Sequence, residues 1–355
     1  IEALKDQVKK LVMLPGEEII HVLPQEYKVD SEGEIQEPVG MHGKRLEANF
    51  HVVVGQMGSI RNIARCVREA GLEMEALTLE PLASSEAVLT KEEKEAGVAI
   101  VDIGGGTTDI AIFKDNIIRH TCVIPYGGGI ITEDIKEGCS IIEKHAEQLK
   151  VKFGSAVPEL EKDSTYVTIP GLHGRPDKEI SLKTLAQIIN ARVEEILEMV
   201  NTELKAYGAF EQKKKLIAGI VLTGGGSNLK HLRQLANYTT GFDSRIGFAN
   251  EYIANDKNQY LKGPEFATSI GLLMESLKIR DKKQNALAEE EIVPEKPKQE
   301  AAKAPFETGQ PVVQQIAPIQ EQEVVPQPQE SKRAAKLTFG QSLMEKVKKF
   351  FEEVE

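Results

Sequence analysis

Apolar and polar positions along the first part of the chain change period several times. Leu4, Val8 and Leu11 step like one face of a short helix, whereas Glu17 to Leu23 and Glu26 to Val29 have strand character. Ser31-Glu32-Gly33 makes a turn, after which Leu46, Ala48, Phe50 and Val52 alternate with polar partners toward Val54, the pattern of a half-buried sheet. Ser59 to Ala70 returns to helical spacing through Ile60, Ile63, Ala64 and Val67, with Arg61, Arg65 and Arg68 on solvated faces and Gly71 placed to stop the helix. Met74 to Leu79 reads as a strand running into Glu80-Pro81, a helix start.

The densest pattern is Val98 to Phe113, VAIVDIGGGTTDIAIF. An apolar run carries Asp102 to a triple-glycine turn, and a second alternating strand leads away. Gly104, Gly105 and Gly106 can take backbone angles closed to other residues and let phosphate oxygens approach the amides, with Thr107 and Thr108 adding hydroxyl donors. Lys114-Asp115-Asn116 is the expected tip of the next hairpin. Three glycines after a strand are also the mark of an ordinary tight turn. No helix follows directly, and neither a GxxxxGK[ST] nor a GxGxxG pattern is present, which argues against P-loop and dinucleotide folds.

Further along, Gly127-Gly128-Gly129 precedes Ile130 to Ile135, either a flexible helix entry or a turn beside a ligand. Short strands are expected at Tyr166–Ile169 and Glu179–Leu182, and a long helix from Leu185 to Tyr207 with Ile188, Ile189, Val193, Ile196, Leu197 and Val200 on one side. Arg192 and Glu195 share a face of it, as an exposed ion pair or as joint contacts to one ligand. Leu216 to Thr223 is a buried-strand run ending in Gly224-Gly225-Gly226, with Ser227-Asn228-Leu229 expected to open a helix.

Composition narrows the classes. A chain of 355 residues can bury a substantial core in more than one domain, and a net charge of -11 without a basic, aromatic-interleaved stripe disfavours nucleic-acid binding. The three cysteines lack CxxC spacing and the seven histidines form no HxxxH or HExxH, so a reducing compartment and no direct metal cluster are expected. No signal peptide or membrane-spanning run is visible.

DIGGGTTD resembles the second phosphate loop of the superfamily that holds actin, sugar kinases and heat-shock chaperone ATPases. The segment Gln25 to Val53, containing GMHGKRLE, and the LEPLASSEAVL stretch resemble the FtsA family of bacterial division proteins within it. That resemblance implies an α/β chain: a partial actin-like ATPase fold with a small α+β insertion subdomain. In its terms Glu80 and Asp102 position water and Mg2+, with no direct protein ligand to the metal. The phosphates of ATP lie on Gly104–Thr108, and Gly128 passes close to the nucleotide. Arg192 stands near the base and Glu195 near the ribose, and Gly224, Gly225, Gly226 and Asn228 form the adenosine motif. Phe266 to Leu277 matches the second interdomain connecting helix.

From Asp281 to Ala335 sit seven of the sixteen prolines and nine glutamines with little periodicity, which predicts a disordered linker. In Leu337 to Glu355 an apolar stripe (Phe339, Leu343, Val347, Phe350, with Met344 and Phe351 alongside) is bordered by lysines, a helix for a membrane interface or a protein partner. The family resemblance favours the membrane. The expected division is 1–56 for the FtsA-type subdomain, 57–95 for a remnant of the first lobe, 96–150 with 216–280 for the nucleotide core, 151–215 for an outer subdomain, 281–335 for the linker and 336–355 for the membrane helix.

By resemblance the protein binds ATP, self-associates into filaments, holds the FtsZ C-terminal tail, recruits later division proteins and works at the cytoplasmic face of the inner membrane at the septum. A pilus-assembly adaptor and a catalytic kinase or ATPase of the superfamily are the alternatives. The kinase lacks an evident acceptor pocket and base. The chain opens on Ile1 in mid-pattern, and nothing ahead of residue 98 supplies the family's first phosphate loop. A missing opening subdomain, and weak or no ATP binding by these residues alone, are therefore expected.

Overall fold

The structure is a computed structural model that describes residues 1–171, 174, 176–249, 253 and 260–291. The expected terminal helix, with Phe339, Leu343, Met344, Val347, Phe350 and Phe351, and the linker beyond 291 lie outside the described residues.

The amphipathic opening forms α1 (Glu2–Lys9), followed by β1 (Glu17–Val29), β2 (Glu32–Ile35) and β3 (Leu46–Gln56) in an antiparallel sheet of order β2-β1-β3. The two strand stretches expected around Pro24 fuse into one strand, because a register shift between Pro24 and Glu26 accommodates the residue that cannot donate to the ladder. Next come α2 (Met57–Glu69), α3 (Glu80–Val88) and α4 (Lys91–Ala96), the last held by a Thr90–Glu93 capping box. Residues 74–79, expected as a strand, are unpaired. No described strand lies alongside, and the segment is anchored by the Leu79 N–H donating to His21 Nε2 at 3.1 Å.

The central sheet joins β4 (Val98–Ile103), β5 (Thr108–Lys114), β6 (Ile117–Ile124), β9 (Ile220–Thr223) and β10 (Ser244–Ile246) in the order β10-β9-β4-β5-β6. β4 runs parallel to β9 and antiparallel to β5. Asp115 and Asn116 take φ of 55° and 60°, which two-residue hairpin turns require, so the expected tip is present. Between β6 and β9 lie α5 (Gly128–Gly138), α6 (Glu143–Phe153), the hairpin β7 (Tyr166–Ile169) and β8 (Lys178–Ser181), and α7 (Leu182–Tyr207), which stops at a left-handed Gly208. α8 (Leu232–Thr240) precedes β10, and α9 (Ala267–Glu291) closes the described chain.

Alternation along β4 sends Ala99, Val101 and Ile103 into a core with α5, α6, α7 and α8, and Val98 and Ile100 into a second core with α3 and α9. The sheet is therefore covered on both faces, and its inner strands β4, β5 and β9 are buried along almost their whole length. Two boundaries differ from the sequence reading. Leu216–Gly219 is a turn with Gly219 at φ +67°, so only Ile220–Thr223 is strand. α9 continues through Glu291, so residues 281–291 are helical rather than linker.

Small residues set how α3 meets α9. A Cβ on Gly271 would lie 1.8 Å from the Ala83 carbonyl oxygen, so the two backbones touch where only hydrogen fits. Ala83, Ser84, Ser85 and Ala87 are buried on the α3 side of that contact.

Candidate functional site

Asp102 closes β4 on the sheet face that carries α3 and α9, and it is 3% exposed. Ser84 Oγ donates to its Oδ2 at 2.7 Å, and Thr268 Oγ1 lies 3.4 Å from the same oxygen and 2.9 Å from Ser84 Oγ. One hydroxyl comes from α3 and one from α9, so the carboxylate pins the helix crossing to the strand end. Burial pushes the Asp102 carboxyl above the usual range, Ser84 and Thr268 hold it down, and Asp109 adds repulsion.

Asp109 is the antiparallel partner of Asp102 across β4 and β5. Its carboxylate accepts from Thr107 Oγ1 at 2.8 Å and is raised by burial. Glu80, at the first turn of α3, is raised by burial and then by Asp102 and Asp109, with a Thr268 hydrogen bond opposing. Asp109 thus disfavours the charge on Asp102, and both disfavour the charge on Glu80, so a nearby cation would favour the charged forms of Asp102 and Glu80. Among the described residues no group of three or more His, Cys, Asp or Glu is placed to hold a metal directly.

The glycine triplets differ in what they do. Gly104, Gly105 and Gly106 do not take left-handed backbone, contrary to expectation; a Cβ on Gly105 or Gly106 would meet nothing within 4 Å. Their value is an open approach to the backbone. Thr107 and Thr108 are not free hydroxyl donors either, since Thr107 serves Asp109 and Thr108 Oγ1 donates to the Tyr126 carbonyl at 2.8 Å.

Gly127, Gly128 and Gly129 brace that loop. The Gly128 and Gly129 amides donate to the Gly104 and Gly105 carbonyls at 2.8 and 2.7 Å, and a Cβ on Gly127 would sit 2.6 Å from Gly104 O. Gly224 combines a φ of +81° with the closest approach of the three: its Cβ would stand 2.3 Å from Asp102 Oδ1. Gly225–Asn228 forms a 3-10 turn, and α8 begins only at Leu232, because His231 takes left-handed backbone between them. Asn228 Nδ2 donates to Glu265 Oε2 at 2.8 Å.

Arg192 and Glu195 do pair, but Arg192 is also bidentate to Asp134 of α5, at 2.5 and 3.0 Å, and so ties α7 to the helix that starts at Gly128. Sequence reasoning named neither Asp134 nor Asp109, although Asp109 ends the same motif, an odd number of residues from Asp102 across a turn. It also missed Lys150, whose Nζ donates to Gly128 O at 2.7 Å and Thr132 Oγ1 at 2.8 Å while pairing with Glu147. The i,i+3 spacing of Glu147 and Lys150 was the available signal. Ser84 and Thr268 carried none beyond being small residues in closely packed helices.

A mixed sheet covered on both faces, with glycine turns at the ends of parallel β4 and β9, is the actin-like ATPase fold. Two solved structures share it: the PilM-PilN type IV pilus biogenesis complex (TM-score 0.56, 18% identity, covering 77% of this chain and 71% of that one) and MreB5 of Spiroplasma citri bound to ADP (TM-score 0.52, 21% identity, covering 65% and 67%). The sequence matches the family model "Cell division protein FtsA" over residues 99–271 and "SHS2 domain inserted in FTSA" over residues 1–54. It is 38% identical over 277 residues to the cell division protein FtsA of Pseudomonas aeruginosa, covering 78% of this chain and 65% of that relative. The chain belongs to the FtsA family of cell division proteins. It spans a little less than two thirds of that relative's length.

Proposed function

We propose that this chain carries the second-lobe side of an ATP site in an actin-like division protein whose tail ties FtsZ to the membrane. The observation that carries the nucleotide half is the buried Asp102, set between the open Gly105–Gly106 backbone and the close-packed Gly224 turn. Phosphates would approach the 104–108 amides. Mg2+ would be held through water by Asp102 and Glu80, whose raised carboxyls gain from a cation. The bound metal supplies charge neutralisation at the phosphates. Gly224–Gly226 with Asn228, and the Arg192–Glu195 face beyond Gly128, would border the adenosine.

Nothing ahead of residue 98 offers a second glycine-rich phosphate loop, so these residues hold Mg-ATP weakly. Titration calorimetry should show no micromolar binding; a micromolar dissociation constant would overturn that expectation. The protein acts mainly as a scaffold that self-associates into filaments and recruits later division proteins at the septum, with at most slow hydrolysis.

The adaptor half rests on the sequence of the terminal stripe and on family membership. Among the described residues no helix is long and apolar enough to cross a membrane. Vesicle co-sedimentation of the intact chain, with and without an FtsZ tail peptide, tests it. Intact chain should pellet with the peptide, and changing Phe350 and Phe351 to Glu should release both. A chain that never pellets would assign the terminal helix to a protein partner.

A further inference from the structure

At the end of the central sheet away from the glycine loop, the β5–β6 turn stands as a ridge between two clefts. One, of about 510 Å³, is lined by Lys114, Arg119, His120, Tyr207, Lys213 and Lys214, with Asp115 at its edge. The other, of about 340 Å³, is lined by Pro24, Gln25, Tyr27, Gln36 and Glu37 and shares Asp115. An extended segment laid over the turn would reach both.

The charges in the first cleft are not all spent. Arg119 pairs with Asp115 at 3.1 Å and reaches the Gln25 carbonyl, and His120 faces Glu203 at 3.3 Å. Lys114, Lys213 and Lys214 have no carboxylate within ion-pair distance among the described residues. Lys114 Nζ donates to the Lys215 carbonyl at 3.1 Å, and Lys214 Nζ lies 5.5 Å from the centre of the Tyr207 ring. Uncompensated lysines over an aromatic wall, on a chain of net charge -11, form a local site for negative charge. The carbonyls ending α7 account for Lys205 in its last turn, but Lys213 and Lys214 follow the Gly208 stop.

We propose that this double cleft is a docking site for an extended acidic segment of a partner protein, with its carboxylates on Lys114, Lys213 and Lys214 and its backbone across the turn toward Gln25 and Gln36. The surface selects a peptide over a polyphosphate or a nucleic acid because Asp115, Glu37 and the His120-paired Glu203 border it. Closely spaced phosphates would meet those carboxylates, whereas side-chain carboxylates along a peptide can be spaced to avoid them. It selects a peptide over a bilayer because the lysines line a concavity rather than a flat face.

Fluorescence anisotropy of the full chain with a labelled Asp/Glu-Gly-Ser peptide, and with its Asn/Gln counterpart, tests this at physiological ionic strength. The acidic peptide should bind at least about tenfold more tightly than the amide peptide, and K213E with K214E should remove that difference. K213R with K214R should keep it. K144E with K152E, on the exposed side of α6, changes net charge equally and should leave binding unchanged. Equal binding of both peptides, or loss of binding in the α6 variant as well, would overturn the proposal. So would a K213E/K214E variant that keeps the peptide but no longer pellets with anionic phosphatidylglycerol vesicles, which would make the patch a membrane contact.

Discussion

At Asp102 two demands on one carboxylate oppose each other. In the proposed site its charge would serve a cation-bearing ligand, yet burial and Asp109 disfavour that charge. A carboxyl whose native pKa is raised adds stability below its ordinary range near pH 4, and this is lost as pH rises through the native value. Asp102→Asn keeps an oxygen for Ser84 to donate to and removes the charge. The variant should be more stable than the parent by about 1–2 kcal/mol at pH 7, the gain fading as pH falls toward 4. Urea unfolding across that range checks it; a constant difference would mean that Asp102 is not strained by its charge. Cys122 is raised by the same physics, pushed up to about 11 by burial and Glu203, and so is an inert thiol at neutral pH.

Among the elements, the α3–α9 crossing has the least tolerance. Because a Cβ at Gly271 would fall 1.8 Å from a backbone oxygen, Gly271→Ala cannot be absorbed by a rotamer change and must separate the helices. The expected cost is about 2–3 kcal/mol, with Ser84 and Thr268 drawn apart over Asp102. Thermal unfolding should show the loss; a melting temperature within a degree or so of the parent would refute the close crossing. Sequence exposed the helix periods, the alternating strands and the glycine turns, because each is a local pattern. It did not expose that Met74–Leu79 lacks a partner or that Gly219 ends a turn, since pairing depends on chain far away and Leu216–Thr223 is apolar either way. Within the site, Asp102 and the open loop were legible in the motif. The occupied hydroxyls of Thr107 and Thr108, and the Asp134 partner of Arg192, were set by packing between elements.

Across the whole described body, the small sheet is joined to the central sheet and to the start of α3 through polar contacts that include two histidines. His51 Nε2 is 3.0 Å from Thr121 Oγ1, Gln25 Nε2 donates to the Ile118 carbonyl at 2.5 Å, and His21 Nε2 accepts from Leu79 N–H. A protonated imidazole has no acceptor, so the last bond requires neutral His21. Burial lowers His21, with Glu275 opposing, and burial and then His120 lower His51, both from 6.5. A histidine with a depressed native pKa takes up a proton on opening, so its contribution is complete above 6.5 and is lost as pH falls toward the native value. Acidification from pH 7.5 to 5.5 should therefore lower the opening free energy of β1 and β3 by about 1 kcal/mol while β4 and β5 change little. Amide hydrogen exchange, corrected for its intrinsic pH dependence, reads the two sheets separately in one sample. In a His21→Gln, His51→Gln variant the pH dependence should disappear, because neither side chain titrates. If β4 and β5 loosen in step with β1 and β3, the two sheets open as one unit, and the histidine contacts are not where the molecule yields first.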